Sequence, residues 1–201
     1  MKQKLKVTIA YVALFGILAS CTTGRRVQRM DPETQTDLSG RWNDTDSRLV
    51  ADEMISDCLS HKWLERWNVQ NKSKSDPRPA VIVGLVVNKT QEHIDPEIFI
   101  TDLERACIND GSVRIVAGGE FRNKIRNERA DQQDYASLDT RKEWGKELGA
   151  DFMLQGTLHQ IVDEYKKDKV VYYKVNLELH NLETNEKVWI GDKQIKKGIS
   201  N

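Results

Sequence analysis

Apolar residues recur at the spacing of an α-helix early in the chain, behind a polar start. Asp44 or Thr45 can cap this helix, because a side-chain oxygen accepts hydrogen bonds from the first free backbone N–H groups. The pattern predicts one helix that runs to about Trp67 with one buried face. The polar stretch 68–79, which ends in prolines, predicts a loop. The apolar positions of the helix are Leu49, Val50, Met54, Ile55, Cys58, Leu59 and Trp63.

The next element is a continuous apolar run at residues 80–87, rich in β-branched side chains. This pattern is typical of a strand buried on both faces, so we expect the strand to be central in the sheet. Asp95, Pro96 and Glu97 then supply a cap, a first-turn proline and a first-turn acid, which predict a second helix. Its inner side carries Phe99, Leu103, Ala106 and Cys107.

The stretch 113–149 predicts a short strand followed by two surface helices. The strand covers 113–116, and a highly charged helix runs from about Glu120 to Gln133. A further helix is predicted from about Asp139 to Gly149, because glycine can supply the left-handed residue that closes a helix.

The C-terminal third predicts three strands, at 151–164, 169–181 and 187–196, joined by short polar turns. The order of elements predicts the α+β class: a single domain with a mixed or antiparallel β-sheet flanked by helices. In the middle strand, Val171, Tyr173, Val175, Leu177 and Leu179 alternate with Tyr172, Lys174, Asn176, Glu178 and His180, so one face belongs to the core.

The N-terminus has the pattern of a secretory signal peptide. Lys2, Lys4 and Lys6 precede an apolar run at residues 7–19. This run is shorter than the roughly 20 residues of a bilayer-spanning helix. We therefore expect it to be cleaved and not to remain as an anchor.

The sequence Leu18-Ala19-Ser20-Cys21 resembles the bacterial lipobox, whose cysteine thiol receives diacylglycerol before the signal is cut. The resemblance implies cleavage between Ser20 and Cys21 and a lipid anchor on Cys21. Thr22 is not the aspartate that retains enterobacterial lipoproteins in the inner membrane. We therefore expect attachment to the outer membrane, with the domain facing the periplasm.

These features divide the chain into a signal peptide at 1–20, a lipidated N-terminus with a flexible tether at 21–37, and one globular domain at 38–201. The 201-residue chain carries 31 basic and 31 acidic residues, so loss of the signal lysines leaves a slightly acidic mature protein. This balance gives no indication of a nucleic-acid partner.

Cys58 and Cys107 both fall on apolar stripes of predicted helices. We expect two buried free thiols that behave as small hydrophobic side chains. A disulfide stays open as the alternative, because the periplasm is oxidising. The spacing fits no metal site, and the sequence predicts neither a metal nor a cofactor.

Four segments of the mature chain resemble LpoB-type lipoproteins, which activate penicillin-binding proteins. The first contains Arg41, Trp42 and Asn43, and the second follows the predicted buried strand. Together they extend over nearly the whole mature domain. The four segments are residues 38–51, 84–95, 149–156 and 177–184.

This resemblance implies both a fold and a function. The fold would be similar to the amino-terminal domain of TolB. The protein would bind and stimulate a bifunctional penicillin-binding protein, a peptidoglycan glycosyltransferase and transpeptidase, by contact and without catalysis of its own. We expect a monomer. The tether is shorter than the long Pro- and Gln-rich tether of the better-known enterobacterial members, which leaves its reach across the peptidoglycan open.

Arg41, Trp42 and Asn43 are the first candidate partner contacts, because tryptophan and arginine often anchor protein interfaces. The alternative is local: Trp42 would fold over the helix start while Asn43 caps a turn.

The loop behind the buried strand gives the second candidate set, Asn88, Thr90, Glu92, His93 and Asp95, of which Asn88, Thr90 and His93 are the predicted partner contacts. Loops on a rigid scaffold often carry function. A loop that is hydrogen-bonded within itself is the alternative, and Asp95 is already explained as a helix cap.

The charged helix is either a partner surface or simply a solvated face. The sequence carries no nucleophile elbow, phosphate loop, His-Glu-x-x-His pair or Cys-x-x-Cys set, so catalysis is not expected. Two other functions stay open: a lipoprotein of an envelope assembly or secretion complex, and a periplasmic hydrolase whose site forms only in three dimensions. The charged positions are Arg122, Lys124, Arg126, Glu128, Arg129 and Asp131.

Overall fold

A computed structural model describes residues 27–32, 34–142 and 145–200. The chain divides into two compact units between Thr34 and Gln35, and the second unit contains all the helices and strands given below. The predicted signal peptide and the lipobox, including Ser20 and Cys21, lie outside the described residues.

The first predicted helix is two helices, α1 (Asp44–Ser60) and α2 (Lys62–Asn71). The expectation of one continuous helix was wrong, because His61 has an extended backbone with ψ of 156°. At the break the carbonyl of Cys58 accepts the indole N–H of Trp63 at 2.7 Å and the backbone N–H of His61 at 3.3 Å. The predicted loop therefore begins only after Asn71.

Strand β1 (Ala80–Lys89) and helix α3 (Pro96–Asp110) follow as the sequence predicts. The side chain of Asp95 accepts a hydrogen bond from the backbone N–H of Glu97 at 2.9 Å and caps the helix. Gly111 closes it in the left-handed conformation, with φ of 80°.

Strand β2 (Arg114–Ile115) and helix α4 (Gly119–Tyr135) also agree with the prediction. The further helix expected at 139–149 was wrong: residues 139–142 and 145–149 form turns and irregular backbone, and 143–144 lie outside the described residues. Gly145 weakens helix formation there by about 1 kcal/mol relative to alanine. Leu148 stays 48% exposed, so the segment has little core surface to stabilise a helix.

The sheet is completed by β3 (Phe152–Tyr165), β4 (Asp168–Asn181) and β5 (Lys187–Ser200). Its order is β2-β1-β3-β4-β5, with β1 parallel to β2 and β3 and the other pairs antiparallel. The fold is thus a single α+β domain with a mixed sheet, as predicted.

The central strand is β3 and not β1, which corrects the expectation for residues 80–87. Strand β1 is interior, but its outer neighbour β2 contributes only two residues. Its register also shifts between Val83 and Val86, and Leu85 at this irregularity is 66% exposed. The apolar run is therefore not buried on both faces along its length.

The core lies between the sheet and helices α1 and α3. The alternation predicted for β4 is confirmed, because its odd-numbered apolar residues from Val171 to Leu179 are all at most 3% exposed. No element of comparable size covers the opposite face of the described sheet, since α4 buries none of its residues.

Cys58 and Cys107 are buried free cysteines, which confirms the expectation of unpaired thiols. Burial raises the pKa of both thiols, that of Cys107 to about 12. Protonated buried thiols are poor nucleophiles, so these cysteines act as core side chains.

The close approach of β3 to β4 generates a stability prediction. A Cβ added at Gly156 would overlap the backbone carbonyl of Asn176, whereas one added at Gly198 meets nothing within 4 Å. We expect Gly156→Ala to lower the free energy of unfolding by roughly 1–3 kcal/mol, the usual effect of overpacking. Gly198→Ala, the matched control on β5, should leave it nearly unchanged. Urea unfolding measures both, and equal midpoints for the two variants would contradict the proposed close contact.

Candidate functional site

Residues 37–43, here called the strap, lead into α1 and pack against the sheet. The Trp42 ring lies edge-on to Phe99, with centroids 6.1 Å apart, and to Tyr173 at 5.6 Å. Gly40 lies against the side chain of Ile199 with a positive φ of 66°, a conformation that glycine adopts without strain. The strap thus joins the helical layer to the ends of β4 and β5.

Asn43 caps α1 with a capping box, so the prediction of Asp44 or Thr45 as the cap was wrong. Its side-chain oxygen accepts the backbone N–H of Asp46 at 3.0 Å, and the Asp46 carboxylate accepts the N–H of Asn43 at the same distance. The remaining amide N–H groups of Asn43 bond to Asp37 and to the carbonyl of Thr36, each at 2.9 Å. The cap therefore also holds the start of the strap.

Lys197 on β5 holds the strap in place by hydrogen bonds. Its ammonium donates to Asp37 at 2.6 Å, to Asp46 at 2.5 Å and to the carbonyl of Arg41 at 3.1 Å. The hydrogen bond from Lys197 lowers the pKa of Asp37, whereas burial raises that of Asp46. Burial opposes the charge of Lys197, but its bonds to the two carboxylates raise its pKa.

The loop behind β1 is hydrogen-bonded within itself. The amide of Asn88 donates to the carbonyl of Glu92 at 2.9 Å and accepts from the Thr90 hydroxyl at 2.7 Å. The Thr90 hydroxyl in turn accepts the backbone N–H of Glu92 at 3.1 Å. These bonds fix the direction of the Glu92 side chain.

Glu92 joins the loop to the strap and to the sheet. Its carboxylate accepts the phenol O–H of Tyr173 at 2.5 Å, the amide of Gln160 at 2.6 Å and the backbone N–H of Trp42 at 3.1 Å. Burial, and then the neighbouring Glu92 carboxylate, raises the pKa of Tyr173 well above its ordinary value. We call this cluster of four residues the Glu92 hub.

The six residues predicted as partner contacts thus fall into two groups. Trp42, Asn43, Asn88 and Thr90 hold the strap and the loop in place, whereas the side chains of Arg41 and His93 are exposed. Whether any of the six touches a partner remains a prediction.

Helix α4, the charged helix of the sequence, lies on the surface without a buried residue. Arg126 and Arg129 both form ion pairs with Glu147, at 2.9 and 3.3 Å. These pairs hold the helix to the segment that precedes β3. Exposed ion pairs of this kind contribute little to stability.

A cleft of about 790 Å³, here called the distal cleft, lies at the break between α1 and α2. Trp63 and Trp67 pack on Phe152 at the start of β3, with ring centroids 4.9 and 5.2 Å apart. The cleft is at the opposite end of β4 and β5 from the strap. Its walls are Ser60, His61, Lys62, Trp63, Arg66, Trp67, Gln70, Phe152, Asn181, Glu186, Lys187 and Val188.

Sequence reasoning missed the distal cleft, although α2 carries a signal for it. Trp63 and Trp67 are spaced i,i+4, as are Lys62, Arg66 and Gln70. Residues at this spacing share one side of a helix, so an aromatic row and a polar row run beside each other. The aromatic row alone is indistinguishable from ordinary core packing in the sequence.

The described part of the chain offers no group of three or more His, Cys, Asp or Glu side chains that could hold a metal ion. Its two described cysteines are buried, and the residues that converge at the Glu92 hub are bonded to one another. Within the described ranges no helix is long and apolar enough to cross a membrane.

The raised pKa of Tyr173 predicts a loss of stability at alkaline pH. The folded protein favours the neutral phenol, so this contribution is complete below the unfolded tyrosine pKa near 10 and is lost as the pH rises toward the folded value. Tyr173→Phe should be less stable at pH 7 by about 1–2 kcal/mol, because Glu92 loses a donor. Above about pH 10 its stability should fall less steeply than that of the wild type. Urea unfolding from pH 7 to 11 gives the free energy of unfolding of both proteins, and an equally steep decrease for the two above about pH 10 would contradict this prediction.

Comparison with known proteins adds sequence and structural relatives. A family model described as peptidoglycan-synthase activator LpoB matches residues 46–195. The LpoB C-terminal domain of Salmonella enterica is 15% identical, with 75% of this chain and 98% of that chain covered and a TM-score of 0.42. The LpoB C-terminal domain of Escherichia coli is 14% identical, with 75% of this chain and 98% of that chain covered and a TM-score of 0.45. The lipoprotein GNA1162 of Neisseria meningitidis is 11% identical, with 60% of this chain and 83% of that chain covered and a TM-score of 0.41.

No curated protein matches the chain in sequence. The family model, however, covers the folded domain from the first turn of α1 into β5. It includes three of the four hub residues, Glu92, Gln160 and Tyr173, whereas Trp42 precedes the matched range. The chain therefore belongs to the LpoB family of peptidoglycan-synthase activators.

Proposed function

We propose that this protein is a lipid-anchored periplasmic regulator that binds and activates a bifunctional penicillin-binding protein. The family match over residues 46–195 carries the proposal. It accords with a described domain whose polar clusters are hydrogen-bonded inward and whose thiols are buried. Activation would occur by contact, with the synthase supplying the chemistry of glycan polymerisation.

The anchor of this regulator is the acylated sulfur of Cys21, in the outer membrane. The signal pattern, the lipobox and Thr22 support this placement. More than one acyl chain is needed for stable attachment, because each buried methylene contributes only about 0.8 kcal/mol.

The short tether limits where the domain can meet a synthase. Residues 22–36 span at most about 50 Å when fully extended. A synthase in the inner membrane therefore meets this domain either across a short periplasmic gap or by extending its own periplasmic domain toward the outer membrane.

The decisive experiment is reconstitution of a soluble form that starts at Thr22, and so lacks the signal and Cys21, with the bifunctional synthase of the same cell. Polymerisation of lipid-linked disaccharide-pentapeptide should be faster with both proteins than with the synthase alone. The soluble form alone should polymerise and hydrolyse nothing, which tests the absence of enzymatic activity. An unchanged synthase rate, together with no detectable binding, would overturn the proposed function.

Lipidation has an independent test. Mass spectrometry of the mature wild-type protein should show an N-terminal cysteine with its acyl groups and loss of residues 1–20. Cys21→Ser should keep its signal and lack the acyl mass. A wild-type protein recovered without acyl groups would contradict the anchor, while leaving activation in solution unaffected.

A lipoprotein of an envelope assembly or secretion complex is the second candidate. The short tether favours it, because such a partner can lie close to the outer membrane. Co-purification of the lipidated protein with a transport complex, and not with a synthase, would decide for this function.

A further inference from the structure

We propose that the distal cleft is the docking site for an acidic, extended segment of the synthase. This inference rests on the proposed function and adds to it the place and the chemistry of the contact. It follows from the charge of the cleft, from its size and lining, and from its position relative to the strap.

The charge of the cleft comes mainly from Lys62 and Arg66 on α2. Both side chains are exposed, and neither forms an ion pair with any residue that the structure describes. On the opposite wall, the Lys187 ammonium is paired with Glu178 at 2.7 Å, and Glu186 is the one acidic residue among the lining residues. Two unpaired cations one helical turn apart favour a carboxylate-bearing partner.

The lining of the cleft suits a peptide more than a single small ion. The partly buried Val188 and the half-buried Trp67, whose ring centroid lies 5.2 Å from the Lys74 ammonium, give the cleft an apolar lining, while the Gln70 amide offers donors and an acceptor for a backbone. A volume of about 790 Å³ lies within the usual range of ligand sites, roughly 300–1,000 Å³. Tryptophan and arginine are also the residues that most often dominate the binding energy of protein interfaces.

The position of the cleft supports the same partner. The strap, where the tether enters the fold, contacts Lys197 and Ile199 near one end of β5. The cleft includes Lys187 and Val188 at the other end of the same strand. A partner in the cleft therefore does not displace the strap that leads into α1.

The test is a double charge reversal, Lys62→Glu with Arg66→Glu. We expect the dissociation constant for the synthase to rise about fivefold or more, because two cations that would face carboxylates are replaced by like charges, and the stimulation of polymerisation to fall in parallel. Arg66→Lys keeps the charge and should retain most of the binding. Raising the salt concentration should weaken wild-type binding more than binding of the double variant.

The matched control is Lys167→Glu with Lys196→Glu, which makes the same change in charge at the strap end of the sheet. Both of these lysines are exposed, so the control variant should bind and stimulate like the wild type. Circular dichroism and thermal unfolding verify that both double variants are folded. Equal weakening by the two double variants would show a general charge effect and overturn the assignment of the cleft.

Two further outcomes separate the inference from the proposed function. If the wild type neither binds nor stimulates the synthase, the proposed function fails. If it does both and the cleft variant is unaffected, only the docking site is wrong. Soluble muropeptides serve as the competing ligand: binding of muropeptides at Arg66 in NMR titrations, without an effect of the reversal on synthase affinity, would also overturn the proposal.

Discussion

The hydrogen bonds to the carboxylate of Glu92 are the interactions on which the rest of this fold depends. They bring together the strap at Trp42, the loop behind β1 and the strands that carry Gln160 and Tyr173. Three donors satisfy this half-buried carboxylate, and its loss would leave the Trp42 N–H and the Gln160 amide with only the Tyr173 oxygen as acceptor, at 3.0 and 3.3 Å. Because these segments are distant in sequence, the hub sets the mutual position of the helical layer and the sheet.

Local periodicity was sufficient to predict those features that depend only on which side chains are buried or on neighbouring residues. The alternation of β4, the Asp95 cap of α3 and the buried thiols of Cys58 and Cys107 were all predictable from neighbouring residues. The break at His61 was not predictable in this way, because it depends on a single hydrogen bond, from the indole N–H of Trp63 to the carbonyl of Cys58. The central place of β3 depends on pairing between distant strands, and no single segment carries that information.

Prediction of the candidate site from the sequence was limited in the same way. The residues chosen for their chemical character near the strap and the loop are largely engaged in holding the fold, as Asn43 and Asn88 show most clearly. Their presence in the segments that resemble the family therefore has a structural explanation that requires no partner. The hub itself could not be found from the sequence, since Glu92, Gln160 and Tyr173 share no motif. Surface for a partner has to be sought where side chains are left without internal bonds.

The break between α1 and α2, where the sequence prediction was wrong, is also what creates such a surface. A helix continuing straight past Ser60 would carry its polar and aromatic rows away along the axis of α1. The extended backbone of His61 redirects α2, so that Trp63 and Trp67 pack on Phe152 at the start of β3. The polar row beside them then becomes one wall of the cleft, with the turn between β4 and β5 as the other. A single residue outside helical geometry thus makes α2 one wall of the distal cleft.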